Sequence, residues 1–143
     1  MLRKSIIAVC ALLAAAAAGY WAGHSTVTVQ AAGEKVYELR TYTTQPGKLE
    51  DLHARFRNHT LRIFQKHGMN NVIYFRPQDA PLKENTLIYL ISHQSRDAAK
   101  TSWDAFRTDP EWQKVAKESE VNGKLLVKVE SVFLDPADYS PMK

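Results

Sequence analysis

Two oppositely charged residues, Glu38 and Arg40, stand two positions apart in residues 36–42, a segment whose apolar and aromatic residues predict a β-strand. Successive side chains on a strand point to opposite faces, so Glu38 and Arg40 share one face with Tyr42. A sheet face that carries charges normally meets water, but it can also line a closed pocket in which an ion pair holds a ligand. The pair is therefore the first candidate for a functional site.

Histidines are the other side chains with chemical potential. His93 ends the predicted third strand on the same face as Tyr89, and an imidazole there is a candidate general acid or base; the alternative is a strand-end histidine near solvent. His53, His59 and His67 lie on the first predicted helix at spacings of six and eight residues, which do not fit the i, i+4 spacing of a helical metal site. We expect His53 and His67 to lie near the buried side of that helix. The sequence predicts neither a metal site nor a cofactor, and it identifies no catalytic residue.

Residues 1–31 have the features of a secretory signal peptide: two early basic residues, the apolar run 6–18 and a small-x-small pattern ending at Ala31. Residues 32–35 would form a short linker. The apolar run is shorter than the ~20 residues that a membrane-spanning helix needs, but an uncleaved membrane anchor remains the alternative. We therefore expect an exported protein, periplasmic or secreted, or membrane-anchored if the segment is retained.

The remaining chain is long enough for one domain, residues 36–134, followed by a polar tail, residues 135–143. The whole chain carries 19 basic and 15 acidic residues, a formal net charge of +4, with both signs interspersed. Nucleic-acid binding is not expected, because it normally requires a basic patch or stripe.

Hydrophobic periodicity predicts the elements of this domain. Helices are expected at 48–67 and 96–120; Ser95 caps the second, and Asp109 and Pro110 break and restart it. The predicted strands are residues 36–42, 72–76, 86–93 and 125–134. The order β-α-β-β-α-β predicts an α+β, ferredoxin-like fold, in which one four-stranded antiparallel sheet carries both helices on one face.

Alternation along the strands divides the predicted sheet into an apolar face and a mixed face. We expect the apolar face to bury against the helices. Its residues are Tyr37, Leu39, Ile73, Phe75, Ile88, Leu90, Val127, Val129 and Phe133.

The mixed face combines charged, aromatic and aliphatic groups that no element of a monomer would cover. Leu87, Ile91, Leu126 and Val132 contribute to an apolar patch that is unusually large for a soluble monomer. We therefore predict a homodimer in which two sheets pack through their mixed faces, with an open, wet face as the alternative. The candidate pocket residues on this face are Glu38, Arg40, Tyr42, Tyr74, Arg76, Tyr89, His93, Lys128 and Glu130.

Several short motifs, in this order and spacing, resemble the NIPSNAP family over about residues 36–134. They are residues 37–42, Pro46-Gly47-Lys48, His67-Gly68, Asp109-Pro110-Glu111-Trp112 and Glu130-Ser131. The resemblance implies a dimeric α/β barrel of ferredoxin-like units and no settled activity. The chain departs from the family at Tyr74-Phe75, where many members have a Gly-Phe-Trp-like run, and at Tyr89 and Ile91, where histidine and tryptophan are common.

These observations lead to three functional hypotheses. The first is an exported homodimer that binds a small, partly apolar ligand or a protein partner. The second is a cofactor-free oxygenase or isomerase of the dimeric α/β barrel type, with His93, Tyr89, Arg40 and Glu38 as site residues. The third is a dimerisation module whose mixed face is filled by its own side chains.

Overall fold

The computed structural model of the chain describes residues 35–142. The predicted signal peptide, residues 1–31, and the linker residues 32–34 lie outside the described residues. Within residues 35–142, no helix is both long enough and apolar enough to cross a bilayer.

Four strands form one antiparallel sheet: β1 (Val36–Thr44), β2 (Asn70–Phe75), β3 (Thr86–His93) and β4 (Leu126–Leu134). Their order in the sheet is β2-β3-β1-β4. The central strand β1 pairs with β3 on one side and with β4 on the other. The α+β prediction and the four-stranded antiparallel sheet are confirmed.

The first helix lies where the periodicity predicts it, but its middle is irregular. It consists of α1 (Leu49–Arg55), a π-helical turn (Phe56–Thr60) and α2 (Leu61–Lys66). The Thr60 hydroxyl donates to the Arg55 carbonyl oxygen at 3.3 Å, which gives that acceptor a partner within the turn. A short helix, α3 (Leu82–Asn85), lies between residues 76 and 86, where the periodicity predicts neither a helix nor a strand.

The second helix is broken and restarted at the predicted position, as α4 (Arg96–Thr108) and α5 (Pro110–Ser119). The Ser95 hydroxyl accepts from the Ala98 N–H at 3.0 Å, and the Asp109 carboxylate accepts from the Glu111 N–H at 2.8 Å. Both side chains satisfy N–H groups that have no partner within their own helix.

Asp109 also ties the end of the first helix to the start of α5. Its Oδ2 accepts hydrogen bonds from Lys66 Nζ at 2.7 Å and His67 Nε2 at 2.6 Å. Hydrogen bonds from Lys66 and then from His67 hold the pKa of Asp109 well below its ordinary value. The His67-Gly68 and Asp109-Pro110 motifs, far apart in the sequence, are therefore in direct contact.

The helices cover the mixed face of the sheet, so the predicted assignment of the two faces is wrong. Tyr42, Leu87, Tyr89 and Ile91 are buried beneath the helices, and Phe56 packs edge-on against Tyr89 at a centroid distance of 5.2 Å. The physical reason is that this face supplies the bulkiest apolar groups, which gain most from burial. Its charges are paired, so they can be buried with those groups. The opposite side, which we call the outer face, is apolar and partly exposed.

A β-bulge in β4 changes which of its residues reach the outer face. Thr43 pairs with Lys128, but Thr44 pairs with Leu126, so Val127 is an extra residue in β4. Beyond the bulge the alternation is shifted by one residue. Leu126 stays on the helix side as predicted, whereas the predicted placement of Lys128, Glu130 and Val132 beside Glu38 is wrong. The outer face consists of Tyr37, Leu39, Thr41, Ile73, Phe75, Ile88, Leu90, Lys128, Glu130, Val132 and Leu134.

Gly68 gives a test of how the first helix ends. Its φ of +75° lies in the left-handed region, and an added Cβ would lie 3.6 Å from Ser102 Oγ, an ordinary contact. We expect Gly68→Ala to lower the free energy of unfolding by about 1 to 2 kcal/mol through backbone strain alone. Gly68→Asn is the matched control, because asparagine tolerates this conformation better, and it should cost less. Urea unfolding measures both; an alanine variant as stable as the asparagine variant would contradict this reason.

Candidate functional site

A single buried carboxylate, that of Glu38, collects donors from four elements of the domain. Its Oε2 accepts from Trp103 Nε1 of α4 at 2.7 Å and from His93 Nε2 of β3 at 2.9 Å. Its Oε1 accepts from Ser131 Oγ of β4 at 2.6 Å and from Arg40 Nη1 of β1 at 2.5 Å. Glu38 and His93 are each 1% exposed, so both oxygens are satisfied within the protein.

The ionised form of Glu38 is strongly favoured in this cluster. Burial alone would raise the pKa of the carboxyl group, but hydrogen bonds from His93, Ser131 and Trp103 and the charge of Arg40 outweigh burial and lower the pKa to about 2. Because an ionised carboxylate can only accept, His93 donates from Nε2. His93 Nδ1 is buried and has no hydrogen-bond partner within the described part of the chain.

Arg40 connects the carboxylate to the aromatic centre of the domain. Its guanidinium carbon lies 4.2 Å from the centroid of the Trp103 ring, a cation–π contact. Its Nη2 donates to the Tyr42 hydroxyl at 3.3 Å. The charge of Arg40 is thus held between the Glu38 carboxylate and two aromatic rings.

Tyr89 lies at the middle of the aromatic centre and is fully buried. The Tyr74 ring stacks on it at 5.1 Å with an interplanar angle of 12°, and the Tyr42 ring meets it edge-on at 5.2 Å. Burial raises the pKa of Tyr74 and of Tyr89, so both phenols are neutral. The Tyr74 hydroxyl donates to Asn71 Oδ1 at 2.6 Å, whereas the Tyr89 hydroxyl is buried and has no partner among residues 35–142.

The structure brings together part of the predicted pocket set and separates the rest. Arg76 follows β2 and forms a surface ion pair with Glu50. Lys128 and Glu130 pair with each other at 2.7 Å, but on the outer face and away from the predicted pocket. The residues that share the buried side of the sheet are Glu38, Arg40, Tyr42, Tyr74, Tyr89 and His93.

Trp103 and Ser131 are members of the Glu38 cluster that the sequence did not suggest. Trp103 fits the buried stripe of α4, and only its indole N–H, which needs an acceptor when buried, indicates a polar partner. The sequence did not place Ser131 beside Glu38, because the bulge at Val127 reverses its predicted face.

The Glu38–His93 pair has the composition of a proton-handling dyad, but it is closed to substrate in this structure. Both residues are buried, and the cavities of about 330, 170 and 200 Å³ are lined by other residues. The pair joins β1 to β3, and the hydrogen bond from Trp103 to Glu38 joins this part of the sheet to α4. Within residues 35–142, no group of three or more histidine, cysteine, aspartate or glutamate residues is arranged to hold a metal ion.

Two of these three cavities lie on the helix side and one on the outer face. The cavity of about 330 Å³ is a polar groove between α1 and the end of α5, lined by Arg55, Asn58 and Glu118 among others. The 170 Å³ cavity lies between the outer face and the C-terminal tail, at Tyr37, Leu90 and Met142. The 200 Å³ cavity is mainly apolar and lies at the π-helical turn, beside His53 and Tyr74.

One family model matches most of the described chain, and solved structures that carry the same family name share its fold. The family model described as NIPSNAP matches residues 37–141. A NIPSNAP family protein from Agrobacterium tumefaciens is 24% identical over 77% of this chain and 100% of that chain, with a TM-score of 0.67. An uncharacterized NIPSNAP-like domain protein from Burkholderia xenovorans is 21% identical over 76% of this chain and 90% of that chain, with a TM-score of 0.66.

The chain also has a more distant structural similarity to an enzyme. A mutant form of SnoaB from Streptomyces nogalater, a cofactor-independent oxygenase, is 16% identical over 78% of this chain and 100% of that chain, with a TM-score of 0.54. At this identity the likeness shows a shared fold. No curated protein matches the chain.

Removal of the Glu38 charge tests the role of the cluster. Because the folded-state pKa of about 2 lies below the ordinary value of 4.5, the ionised carboxylate stabilises the fold above pH 4.5, and this contribution is lost as the pH falls from 4.5 toward 2. We expect Glu38→Gln to lower the free energy of unfolding by about 3 kcal/mol at neutral pH.

The matched control is Glu84→Gln in α3, away from the cluster and from the outer face, where the Glu84 side chain is 68% exposed and its ion pair contributes little. Chemical unfolding at a series of pH values measures both variants. Equal stability of the two variants, or an unchanged acid dependence in Glu38→Gln, would contradict the role of the cluster.

Proposed function

Because this chain belongs to the NIPSNAP family, whose model matches residues 37–141, we propose that it functions as a homodimer that binds a small, partly apolar ligand. The two sheets pack on each other through their outer faces, and the ligand enters from the helix side. The proposed interface is therefore the face opposite to the one that the sequence suggested.

The observation that carries the dimer is the apolar character of the outer face. Ile73, Phe75 and Val132 are 44%, 46% and 54% exposed, and Leu39, Ile88 and Leu90 lie between them. A patch of this kind on a sheet is normally covered. A second copy is the simplest cover, because a two-fold axis lets the same patch serve both subunits.

The charges at one end of the outer face support the same arrangement. Lys128 and Glu130 carry opposite signs and point to the same side of β4. In a two-fold arrangement, Lys128 of one copy can face Glu130 of the other. The interface would then enclose no unpaired charge, whose burial costs several kcal/mol.

A dimer of this kind leaves the helix side of each subunit open to ligands. The polar groove and the apolar cavity at the π-helical turn both lie there. The apolar cavity favours a small ligand with an apolar body over a protein partner, because it is concave and only large enough for a small molecule.

The second candidate function is a cofactor-free oxygenase or isomerase. The fold shared with SnoaB favours it, and so does the histidine at the apolar cavity, since an enzyme that activates its own substrate needs a base near an apolar pocket. Oxygen uptake or isomerisation that depends on the bound ligand and is lost in His53→Gln would distinguish an enzyme from a binding protein.

The dimer prediction is tested by charged substitutions on the outer face. We expect the wild-type protein to be a dimer by light scattering at micromolar concentration. Phe75→Lys with Val132→Lys should convert it to a folded monomer, because both side chains point away from the core. Val121→Lys, in the turn before β4, is the control and should remain dimeric. A monomeric wild-type protein, or a double variant that stays dimeric, would overturn the proposed interface.

Native mass spectrometry of protein purified from its source tests the ligand part of the proposal. We expect a mass for the dimer and an additional mass for a bound small molecule. A dimer recovered without any added mass, also after incubation with extracts of its source, would support a dimerisation module instead.

We also propose that the protein is exported and cleaved after Ala31. The apolar run 6–18 and the small residues that follow it support this. N-terminal sequencing of protein recovered from the native cells should begin at Ala32. A chain that begins at Met1 and stays in the cytoplasm would contradict export.

A further inference from the structure

The apolar cavity at the π-helical turn has a volume of about 200 Å³, and it combines apolar walls with two nitrogen-bearing side chains. A closed cavity of about 150 Å³ is enough to hold benzene, so this more open cavity has room for a single ring with a small substituent, one side of which stays exposed. Its lining residues are His53, Phe56, Arg57, Leu61, Tyr74 and Leu87.

The π-helical turn shapes one wall of this cavity. A π-helical turn inserts an additional residue into a helix, is rare, and occurs often at functional sites. Here the turn spans Phe56–Thr60, and its first residues, Phe56 and Arg57, both line the cavity. The helix keeps regular geometry on both sides of the turn, so the irregular segment begins at the wall of this cavity.

His53 has an unused hydrogen-bonding atom at this place. Its Nε2 is buried and has no partner within residues 35–142. A buried polar group without a partner costs about 1 to 3 kcal/mol, so a ligand that supplies the partner gains this energy on binding. Burial and the charges of Arg76 and Arg57 lower the pKa of His53, although Glu50 opposes them, and the ring is neutral at neutral pH.

Arg57 carries a positive charge at the cavity. Within the described part of the chain, no carboxylate lies within ion-pair distance of it. The neighbouring Arg76 is already paired with Glu50. The rim of the cavity is therefore positive where the unpaired Arg57 stands, which favours an anionic group on the ligand.

We propose that this cavity binds a monocyclic aromatic carboxylate. The ring packs against Phe56, Leu61 and Tyr74. The carboxylate accepts hydrogen bonds from the Arg57 guanidinium and, once the enclosed His53 ring turns toward the cavity, from His53 Nε2–H. This assignment rests on the proposed ligand-binding function and names its site and its chemical class.

The test uses the mature dimer and benzoate as the probe, followed by ¹H–¹⁵N NMR spectra of uniformly labelled protein. We expect saturable shifts at residues that line the cavity. Benzamide, which has the same shape without the charge, should bind about tenfold more weakly or worse. Arg57→Gln and His53→Phe should each weaken benzoate binding by a similar factor, whereas Lys114→Gln, on the exposed side of α5, should not change it.

Each outcome decides the assignment. Saturable binding that is weakened in both cavity variants and unchanged in Lys114→Gln supports it. Non-saturable shifts, shifts at other residues, equal binding of benzamide, or equal losses in all three variants would overturn it. A co-purified ligand in native mass spectrometry together with no benzoate effect at the cavity would overturn this site alone and leave the proposed function standing.

Discussion

The domain depends on the solvation of one carboxylate. An ionised Glu38 removed from water loses several kcal/mol of hydration, which only several well-placed donors can restore. Those donors come from β1, β3, β4 and α4, so none of these elements can shift without leaving a buried charge unsatisfied. The cluster thereby specifies which face of the sheet α4 covers. The aromatic packing around Tyr89 adds apolar burial to an arrangement that the carboxylate has already selected.

Much of the architecture could be predicted from the sequence, because its signals are local. Ser95 and Asp109 indicate helix starts because their own side chains cap the helices. Strand β3 was predicted with its correct bounds. The common face of Glu38, Tyr89 and His93 also followed from simple alternation. Alternation cannot tell which face the helices cover, and the charges led to the prediction that the mixed face packs on a second copy. In the structure, the charges are satisfied beneath the helices, so polarity was a poor guide to which face the helices cover.

The candidate cavity and the position of Glu130 were beyond sequence reasoning for a different reason. A single inserted residue, at Val127 in β4 and within the Phe56–Thr60 turn, changes the direction of every following side chain. Neither insertion has a glycine or proline to mark it. His53 was rightly placed near the buried side of the helix, but the space beside its ring depends on the π-helical turn. Predictions from periodicity assume regular helices and strands. The candidate cavity and the position of Glu130 depend on irregular segments of a helix and of a strand.

The bulge at Val127 has a consequence for how copies of this chain can aggregate. Strand β4 is at an edge of the sheet, where unpaired backbone groups offer a template for another strand and, by repetition, for a filament. A bulge twists such an edge, and the charged side chains of Lys128 and Glu130 discourage a neighbouring strand from aligning along it. The addition of a strand from another copy at this edge is therefore hindered. Packing of two copies through the outer faces of their sheets is not affected. The same insertion that places Lys128 and Glu130 on the outer face thus makes strand addition at the β4 edge less favourable.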